Sequence, residues 1–334
     1  MFLGSHTAIR LIMTRERIGA DAEHNPSGRA ASVDSRQIDE VVTAVLAAPK
    51  YRTIDPSLVR MLAVRELAAR RSFKEAIKAT KNKLHQIAGA YVEQRIDVAS
   101  WIRRLQAHDL SCPVTASDDE LIQAALAHPH AARLGASFVR ASLDLMARHA
   151  STRERLPIVQ RFYAEIFADL PPIRSILDVG CGLNPLAIPW MPLNGDAVYH
   201  ASDIDRTIVE FITQYLALVG ISGSVEMRDQ ATHPGGPPVD LALVLKVLPV
   251  LDQIERGAAG RLLDALDASF ILVSYPVHTL GGRRKGMEET YERQLEALVA
   301  GRAWEVQRFG FPGELAFLIT KGSRSSWKSS GSSC

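Results

Sequence analysis

Short apolar runs alternate with amphipathic helical patterns from about residue 151 onward, and this alternation restricts the fold more than any other feature. The runs are RSILDVG, AVYHASD, GSVEMRD, VDLALVLK, SFILVSYP and LAFLIT. Between two of them, RTIVEFITQYLALVG has apolar residues at helical spacing, namely Ile208, Phe211, Ile212, Tyr215 and Val219. Apolar strands separated by helices predict an α/β fold whose mostly parallel sheet is covered on both faces. Ligands in such folds bind at the carboxyl ends of the strands.

The residues before this region have a different character, because 36–150 show helical patterns. Ser72 with Glu75, and Ser151 with Glu154, have the spacing of capping boxes and predict two helix starts. After the first of these, an apolar helix face is formed by Phe73, Ile77, Leu84, Ile87 and Tyr91. We expect four parts: a disordered leader (1–35), a helical basic domain (36–150), an α/β domain (151–321) and a disordered tail (322–334).

Basic residues are concentrated in one stretch of the helical region. The net charge of the chain is only +2, but residues 50–85 hold ten Lys or Arg against three acids. A solvated helix face can carry such a stripe, yet the scarcity of acids favours a polyanionic partner such as nucleic acid. The candidate RNA contacts here are Arg70, Arg71, Lys74, Lys78 and Lys81.

The composition argues against a membrane protein, a disulfide-rich secreted protein and a metalloprotein. Mean hydropathy is zero, and no apolar run approaches the roughly 18 residues of a membrane span. The amino end lacks the apolar region and cleavage site of a signal peptide. The three cysteines are far apart, which suits neither a disulfide framework nor a metal site. We therefore expect a cytoplasmic protein with no membrane or metal partner.

The turn LDVGCGLNP after the first predicted strand indicates the kind of cofactor. Asp178 lies in the strand's end, and Gly180 and Gly182 let the backbone approach a ligand with no side chain between them. A dinucleotide turn requires a third glycine and a helix amino terminus aimed at a pyrophosphate. Here Leu186 takes the place of that glycine, and Pro185 donates no N–H toward a phosphate. The turn therefore favours S-adenosylmethionine, which has no phosphate, and methyl transfer.

Acidic residues also end the next two predicted strands. Asp203 ends AVYHASD, where its carboxylate can accept hydrogen bonds from both hydroxyls of a ribose. Asp229 ends GSVEMRD, where it can accept from an adenine amino group while Gln230 lines the ring. A single aspartate at such a position is often only a helix cap. Three acids at successive strand ends favour one ligand site.

Seven motifs spread over about residues 36–320 carry a family resemblance. They are KYRTIDPSLVRML, KLHQIAGAYV, HASTRERL, DVGCGLNPLA, SDID, LKVLPVL and SYPVHTLGGRRKGMEETY. The set is similar to the aminoglycoside-resistance methyltransferases that modify N7 of guanine 1405 in 16S ribosomal RNA. The resemblance implies a Rossmann-like class I methyltransferase sheet with an N-terminal helical RNA-binding domain. It also implies S-adenosylmethionine as cofactor and the assembled 30S subunit as substrate.

The resemblance further implies roles for individual residues. The cofactor would be held by Arg155 at the methionine carboxylate, Asp178, Gly180 and Gly182 at the turn, Asp203 at the ribose, Asp229 and Gln230 at the adenine, and Leu245 nearby. Lys246 and Arg283 would act on the RNA or the target base, with Glu314 a further candidate. Arg284 and Lys285 would extend the basic loop LGGRRKG toward the RNA backbone.

The chemistry of guanine N7 limits which residues are needed. N7 is unprotonated at neutral pH and carries its lone pair in the plane of the base, so it requires no general base. Catalysis is then expected to rest on orientation and electrostatics, and we expect His149, His200 and Cys181 to be structural. Tyr275, after the fifth predicted strand, is either a stacking platform for the base or a core residue.

Three other functions stay open. The same fold could methylate N1 of an adenine at the neighbouring decoding-site position. A ribosome-binding protein with a decayed pocket is a second alternative, although the acids at 178, 203 and 229 are intact. A nicotinamide-dependent dehydrogenase is the third, but it lacks the third glycine and leaves the basic helices unexplained.

Overall fold

The sheet confirms the predicted α/β class. The computed structural model describes residues 34–70, 72–89, 96–107, 116–277 and 286–322. Within them the strands are β1 (Ser175–Val179), β2 (Val198–Asp203), β3 (Val225–Met227), β4 (Val239–Leu245), β5 (Ala268–Pro276), β6 (Trp304–Phe311) and β7 (Glu314–Lys321). They form one sheet in the order β3-β2-β1-β4-β5-β7-β6. Strands β1 to β5 pair in parallel, and β7 runs antiparallel to β5 and β6.

The strand order reverses direction at β1, which lies between β2 and β4. Asp178 is in register with Ala201 of β2 and with Leu243 of β4. The connections leaving β1 and β4 therefore diverge to opposite faces, and a crevice opens outside the carboxyl ends of these strands. This crevice is where the sequence predicts the ligand.

Helices lie before the sheet and between its strands. Before the sheet they are α1 (Ser35–Leu46), α2 (Pro56–Ala69), α3 (Phe73–Leu84), α4 (Val98–Gln106), α5 (Ala116–Leu126), α6 (Pro129–Ala132), α7 (Ala136–Met146), α8 (Ala150–Arg155) and α9 (Val159–Ala168). Between the strands they are α10 (Arg206–Val219), α11 (Leu248–Ile254), α12 (Ala258–Ala265) and α13 (Met287–Val299). A π-helical turn, His85–Gly89, continues α3. Short 3₁₀ helices span Leu156–Ile158 and Asn184–Trp190.

Two hydrophobic clusters cover the two faces of the sheet. Alternate residues of β4 divide between them: Leu241, Leu243 and Leu245 belong to one cluster, and Ala242 and Val244 to the other. The first cluster includes α4 to α7, α9 and α10, and the second includes α1 to α3 and α11 to α13. The helices before residue 150 thus pack on both faces and share their cores with the sheet. The domain border at residue 150 stays a prediction, because packing is continuous across it.

Backbone and side-chain hydrogen bonds join the first helices to the carboxyl edge of the sheet. The N–H of Asp55 donates to the carbonyl of Ile204 at 2.8 Å, and the N–H of Arg206 donates to the carbonyl of Thr53 at 2.8 Å. The guanidinium of Arg65 in α2 donates to the carbonyl of Ile254 in α11 at 2.7 Å. These bonds hold α1 to α3 beside the residues that follow β2.

Helix α3 begins where the sequence predicts, but its buried face differs. Ser72 is the N-cap without a side-chain hydrogen bond, so the predicted capping box is wrong. Phe73 is 37% exposed. The buried residues are the smaller Ala76, Ala79, Thr80 and Leu84, followed by Ile87. Of the predicted apolar face, Leu84 and Ile87 are buried and Ile77 packs against the second cluster, whereas Phe73 is exposed. Tyr91 lies outside the described residues.

Two further predictions about local structure are wrong. His149, not Ser151, is the N-cap of α8. The helix predicted from there also breaks at Pro157 into a 3₁₀ turn before α9 begins.

The strand β6, with the sequence WEVQRFGF, has no counterpart among the predicted runs because most of its side chains are half-buried or exposed. It lies at the sheet edge and pairs with β7.

Candidate active site

A cavity opens at the carboxyl ends of β1, β2 and β4. Its wall contains every predicted cofactor residue together with Lys246: Arg155, Asp178, Gly180, Gly182, Asp203, Asp229, Gln230 and Leu245. The three strand-end acids, which lie far apart in the sequence, thus face one space. Apolar side chains from α11, including Val250 and Ile254, form another part of the wall.

The glycines of the turn adopt a conformation that other residues rarely adopt. Gly180 has φ +58° and Gly182 has φ +50°, both in the left-handed region. A Cβ on Gly182 would lie 2.9 Å from Cε1 of His149. A Cβ on Gly180 would lie 3.0 Å from a methyl group of Val247. The turn therefore requires glycine at both positions, which leaves backbone rather than side chains facing the cavity.

Asn184 at the start of the following 3₁₀ helix holds this turn together. Its amide nitrogen donates to Oδ2 of Asp178 at 2.9 Å. Its amide oxygen accepts from Nη1 of Arg155 at 2.8 Å and from the hydroxyl of Tyr163 at 2.7 Å. Sequence reasoning missed this residue; its only signal was the LNP run after the glycines. Pro185 follows Asn184 in the first turn, where the missing N–H costs no hydrogen bond.

Burial raises the pKa of each strand-end acid. The pKa of Asp178 rises to about 7, although hydrogen bonds from Asn184 and Tyr199 oppose the shift. The pKa of Asp203 rises to about 6, although its carboxylate accepts from the N–H of Gly182 at 2.9 Å and of Asp205 at 3.0 Å. The pKa of Asp229 is also raised by burial. The ionised form of a buried carboxyl group with a raised pKa is stabilised by additional hydrogen-bond donors.

Gln230 has a structural contact that the sequence did not indicate. Its amide nitrogen donates to the hydroxyl of Ser202 at 3.0 Å and to the carbonyl of Gly235 at 3.1 Å. Its amide oxygen accepts from the N–H of Gly235 at 2.9 Å. The side chain of Gln230 therefore fixes the loop after β3, and it also lines the cavity. Asp229 beside it accepts from the N–H of Ala231 and from the hydroxyl of Thr232.

Arg155, which lines the cavity, forms a buried ion pair with Glu314. Nη2 of Arg155 lies 2.5 Å from Oε1 of Glu314, and Nε lies 3.1 Å from Oε2. Both side chains are 1% exposed. The guanidinium also stacks over the ring of Phe162 at 4.9 Å. Arg155 keeps its charge in this apolar setting because Glu314 neutralises it, and Arg155 and Lys246 hold the pKa of Glu314 below its ordinary value despite burial.

Lys246 directly follows β4 and is buried at the cavity. Among the described residues, it is the one non-glycine position with positive φ, at +62°. Its ammonium lies 2.8 Å from Oε2 of Glu154 and 3.4 Å from Oε2 of Glu314. Strained backbone of this kind persists where the surroundings hold it, and it is concentrated at functional sites.

The remaining predicted residues divide between the helical region and undescribed residues. Arg70, Lys74 and Lys78 are exposed, and Lys81 is half-buried; none of them lines the cavity. Arg70 pairs with the buried Glu66 at 2.5 Å. Arg71, Arg283, Arg284 and Lys285 lie outside the described residues.

The three residues expected to be structural, and also Tyr275, are buried or half-buried. His149 lines the cavity, and burial lowers its pKa to about 4, so it is neutral at pH 7. Burial raises the pKa of the Cys181 thiol well above its ordinary value. His200 contacts the hydroxyl of Ser224. Tyr275 stacks on Tyr291 with ring centroids 4.6 Å apart and is 1% exposed, which makes it a core residue.

Ile87 is a further cavity residue that the sequence did not assign to the site. It belongs to the π-helical turn after α3 and is 6% exposed. The helix that carries Lys74 and Lys78 thus ends in the wall of the cavity. Helical periodicity predicted that Ile87 is buried but could not show what it faces.

The donor and acceptor groups of the cavity suit S-adenosylmethionine. A turn of bare backbone, carboxylates at the ends of β2 and β3, a buried guanidinium and apolar side chains line one space. The carboxylates with raised pKa values are suited to ribose hydroxyls and an adenine amino group, which are donors. Among the described residues, no cluster of side chains could hold a metal ion. In the same residues, no helix is long and apolar enough to span a membrane.

Fold and site together define a class I S-adenosylmethionine-dependent methyltransferase. The profile of the family described as ribosomal RNA methyltransferase (FmrO) matches residues 47–318. The chain belongs to this family, and its cofactor is S-adenosylmethionine. It is therefore an enzyme that methylates ribosomal RNA.

Two relatives and one solved structure agree with this assignment. A 16S rRNA (guanine(1405)-N(7))-methyltransferase of Micromonospora echinospora is 35% identical over 292 residues, covering 87% of this chain and 99% of the relative. A protein of the same name from Frankia casuarinae is 36% identical, covering 88% and 98%. The structure of the 16S rRNA methyltransferase RmtF with S-adenosyl-L-homocysteine has a TM-score of 0.66 at 28% identity and covers 87% of this chain and 100% of RmtF.

Proposed function

We propose that this enzyme transfers a methyl group to N7 of guanine 1405 of 16S rRNA in the assembled 30S subunit. Relatives that align over most of the chain carry the guanine 1405 N7 activity in their names. The observation that carries the proposal is the buried ammonium of Lys246, which lies beside a cavity lined by three strand-end acids. An ammonium at that position can donate a hydrogen bond to O6 of a guanine and orient the base.

Each cofactor residue has a role that follows from its contacts. Asp203 and Asp229 accept hydrogen bonds from the ribose hydroxyls and the adenine amino group, because burial leaves both carboxylates in need of donors. Gly180 and Gly182 present backbone to the methionine part. Arg155 attracts the methionine carboxylate, with Nη1 and Nη2 still able to donate beyond Asn184 and Glu314.

The remaining cofactor residues shape the cavity. Asp178 fixes the turn through Asn184, and Gln230 and Leu245 pack against the bound molecule. When bound, S-adenosylmethionine supplies an electrophilic methyl group on a sulfonium. The protein supplies orientation and exclusion of water, since the N7 lone pair needs no general base. The neutral imidazole of His149 is suited to pack beside the turn, where a further cation besides Arg155 and Lys246 would repel the sulfonium.

Lys246 acts on the target base through O6. Lysine and arginine commonly bind both O6 and N7 of guanine, but N7 is the nucleophile here and must stay free. A single hydrogen bond from the ammonium to O6 orients the base, so that the lone pair of N7 points at the sulfonium methyl group. The same group is also able to hold a neighbouring phosphate.

The exposed basic residues of the helical region dock the enzyme on ribosomal RNA. Lys74 and Lys78 project from α3 into solvent, with Lys81 half-buried on the same helix and Arg70 just before it. Arg71 and the basic segment with Arg283, Arg284 and Lys285 add charge at positions outside the described residues. The target guanine leaves its stack to reach the cavity. Since the substrate is the ribosomal subunit, the enzyme works in the cytoplasm.

Drug resistance in cells provides the test. A methylated N7 carries positive charge and repels cationic drugs at the decoding site, so expression in a susceptible bacterium should give resistance to both gentamicin-type and kanamycin-type aminoglycosides. The Asp203→Ala variant, expressed at the same level, should leave the cells susceptible. Unchanged susceptibility with unmodified 16S rRNA, despite good expression of the unaltered protein, would contradict the proposal.

A further inference from the structure

The ammonium of Lys246 has three acceptors nearby, and they lie at different distances from it. Its side chain is 5% exposed, and its ammonium lies 2.8 Å from Oε2 of Glu154. The other two acceptors, the carbonyl of Ser151 and Oε2 of Glu314, are both at 3.4 Å. Glu154 is therefore the principal partner of the buried ammonium.

Glu314 is already committed to Arg155. Three contacts of 2.5, 3.1 and 3.2 Å join the two side chains. A carboxylate shared between two cations compensates neither completely when both are buried. The charge that balances Lys246 must therefore come from Glu154.

Glu154 does not serve the role that its sequence position predicts. It has the spacing of a capping-box glutamate, yet the N-cap of α8 is His149, which has no side-chain cap hydrogen bond. Its carboxylate instead crosses to the residue after β4. The side chain of Glu154 is 40% exposed and that of Lys246 is 5% exposed. The ion pair therefore joins a partly solvated carboxylate to an ammonium buried in the cavity wall.

We propose that Glu154 is a positioning residue for Lys246, an inference that deepens the proposed function and rests on it. The carboxylate compensates the buried charge and holds the ammonium at a fixed point of the cavity. Lysine has three N–H donors, and the short contact to Glu154 occupies one. The two 3.4 Å contacts are long enough for an incoming guanine oxygen to replace one of them.

Other groups near Lys246 cannot take this role. His149 precedes the same helix, and burial together with Lys246 and Arg155 holds its pKa near 4, so it carries no charge at neutral pH. Arg155 has the same sign of charge as Lys246. Of the described carboxylates that pair with Lys246, Glu154 from α8 and Glu314 from β7, Glu154 is the nearer.

A double-mutant cycle on methyl transfer tests the proposal. Purified wild type, Glu154→Gln, Lys246→Met and the double variant are compared with unmodified 30S subunits, with kcat, KM for 30S and calorimetric Kd for S-adenosylmethionine measured for each. We expect Glu154→Gln to lower kcat by about tenfold to a hundredfold. Its cofactor Kd and its KM should stay within about twofold of wild type, and the double variant should be no slower than Lys246→Met.

Two further variants separate positioning from folding. Glu154→Asp retains the charge and should recover part of the lost kcat. Glu165→Gln removes a carboxylate from the exposed Arg161–Glu165 pair of α9 and should leave kcat, KM and melting temperature unchanged. The proposal is wrong if the effects of Glu154→Gln and Lys246→Met multiply, or if Glu154→Gln acts by weakening cofactor binding.

The same cycle distinguishes this inference from the proposed function. If wild type methylates guanine 1405 and Lys246→Met has wild-type kcat, the role of Lys246 and this inference fail while the activity stands. If wild type does not methylate guanine 1405, the proposed function fails and the inference fails with it.

Discussion

Several buried groups at the cavity have a shifted pKa or a strained backbone conformation. A bound ligand can offset the cost of both. Asp178 and Asp203 have pKa values raised to about 7 and about 6. Gly180 and Gly182 have positive φ, as does Lys246. The raised pKa values and the left-handed backbone of Lys246 cost stability in the free protein, whereas glycine adopts positive φ without strain. Their concentration around one space is the physical sign of a binding site.

Replacing Gly182 by alanine should damage both folding and cofactor binding. The new Cβ would need a left-handed backbone and would lie 2.9 Å from the ring of His149. We expect a loss of about 1–3 kcal/mol in unfolding free energy, measured by denaturant titration. Gly195→Ala is the matched control, since Gly195 has open space around its Cα. Equal stability of both variants would contradict the packing described for the turn.

Cofactor affinity should fall as pH is lowered through the pKa of Asp203. Only the ionised carboxylate accepts from both ribose hydroxyls, and burial puts its pKa at about 6. The apparent Kd at pH 5 should exceed that at pH 7.5 by about tenfold, measured by calorimetry. Asp203→Asn should bind more weakly throughout and with a flatter profile. A wild-type Kd that is constant over this range would refute the ribose assignment.

Folding stability responds to the same group in the opposite direction. Because the folded protein binds this proton more tightly than the unfolded chain, the contribution of Asp203 is fully present below its ordinary pKa of 3.8 and is lost as pH rises through about 6. Stabilisation by added cofactor should therefore be largest above pH 6.

The π-helical turn after α3 contributes to the cavity wall, and α3 itself carries residues that we propose contact RNA. Helix α3 carries Lys74 and Lys78 in solvent, and the π-helical turn that continues it places Ile87 in the cavity wall. Backbone bonds from Thr53 and Asp55 reach the residues on either side of Asp205, beside the candidate ribose acid. These bonds link the first helices to the segment that follows Asp203.

Truncation of Ile87 should affect the cofactor as well as stability. Ile87→Ala removes buried apolar surface and should cost about 2–5 kcal/mol of stability. It should also weaken S-adenosylmethionine binding by about three- to tenfold because a wall contact is lost. Ile38→Ala in α1 is the control, since Ile38 is similarly buried, at 8% against 6% exposed, and does not line the cavity. Equal cofactor affinities in the two variants would remove Ile87 from the site.

The elements that sequence patterns predicted are those whose signals are local. Buried strands such as β4 and β5 are continuous apolar runs, which the sequence shows directly. Asp203 and Asp229 could be placed at strand ends because each is the last residue of a run predicted as a strand. The half-exposed β6 has no such run and was missed. Asn184, Ile87 and the Glu154–Lys246 pair depend on contacts between distant segments, which periodicity does not contain. Tertiary packing likewise overrode the capping signals at Ser72 and Ser151.

The molecule as a whole combines a nearly neutral chain with one strongly basic stretch. The net charge is +2, so nonspecific attraction to RNA must come from the local cluster in residues 50–85 rather than from the whole surface. The described helices of this stretch pack on the face of the sheet that also carries α11 to α13. The proposed RNA contacts of this stretch thus share a face of the sheet with α11, which lines the cavity.

Charge reversal on α3 should weaken binding to the 30S subunit in a salt-dependent manner. Lys74→Glu and Lys78→Glu each remove a cation from an exposed helix face. The loss in affinity should be larger at low salt than at high salt, because phosphate contacts release counterions. Arg174→Glu, an equal charge change at the amino edge of the sheet where Arg174 is exposed, should have little effect. Equal losses for all three variants would show a general charge effect in place of a docking surface.

Mapping the methylated nucleotide in 16S rRNA tests the central claim most directly. Purified protein and labelled S-adenosylmethionine are incubated with unmodified 30S subunits, and the rRNA is read by primer extension before and after borohydride–aniline cleavage. N7-methylguanine gives a stop only after cleavage, whereas N1-methyladenine stops the primer without it. The account predicts label in 16S rRNA and a cleavage-dependent stop at guanine 1405, as named for the relatives. No label, or a cleavage-independent stop at a neighbouring adenine, would contradict it.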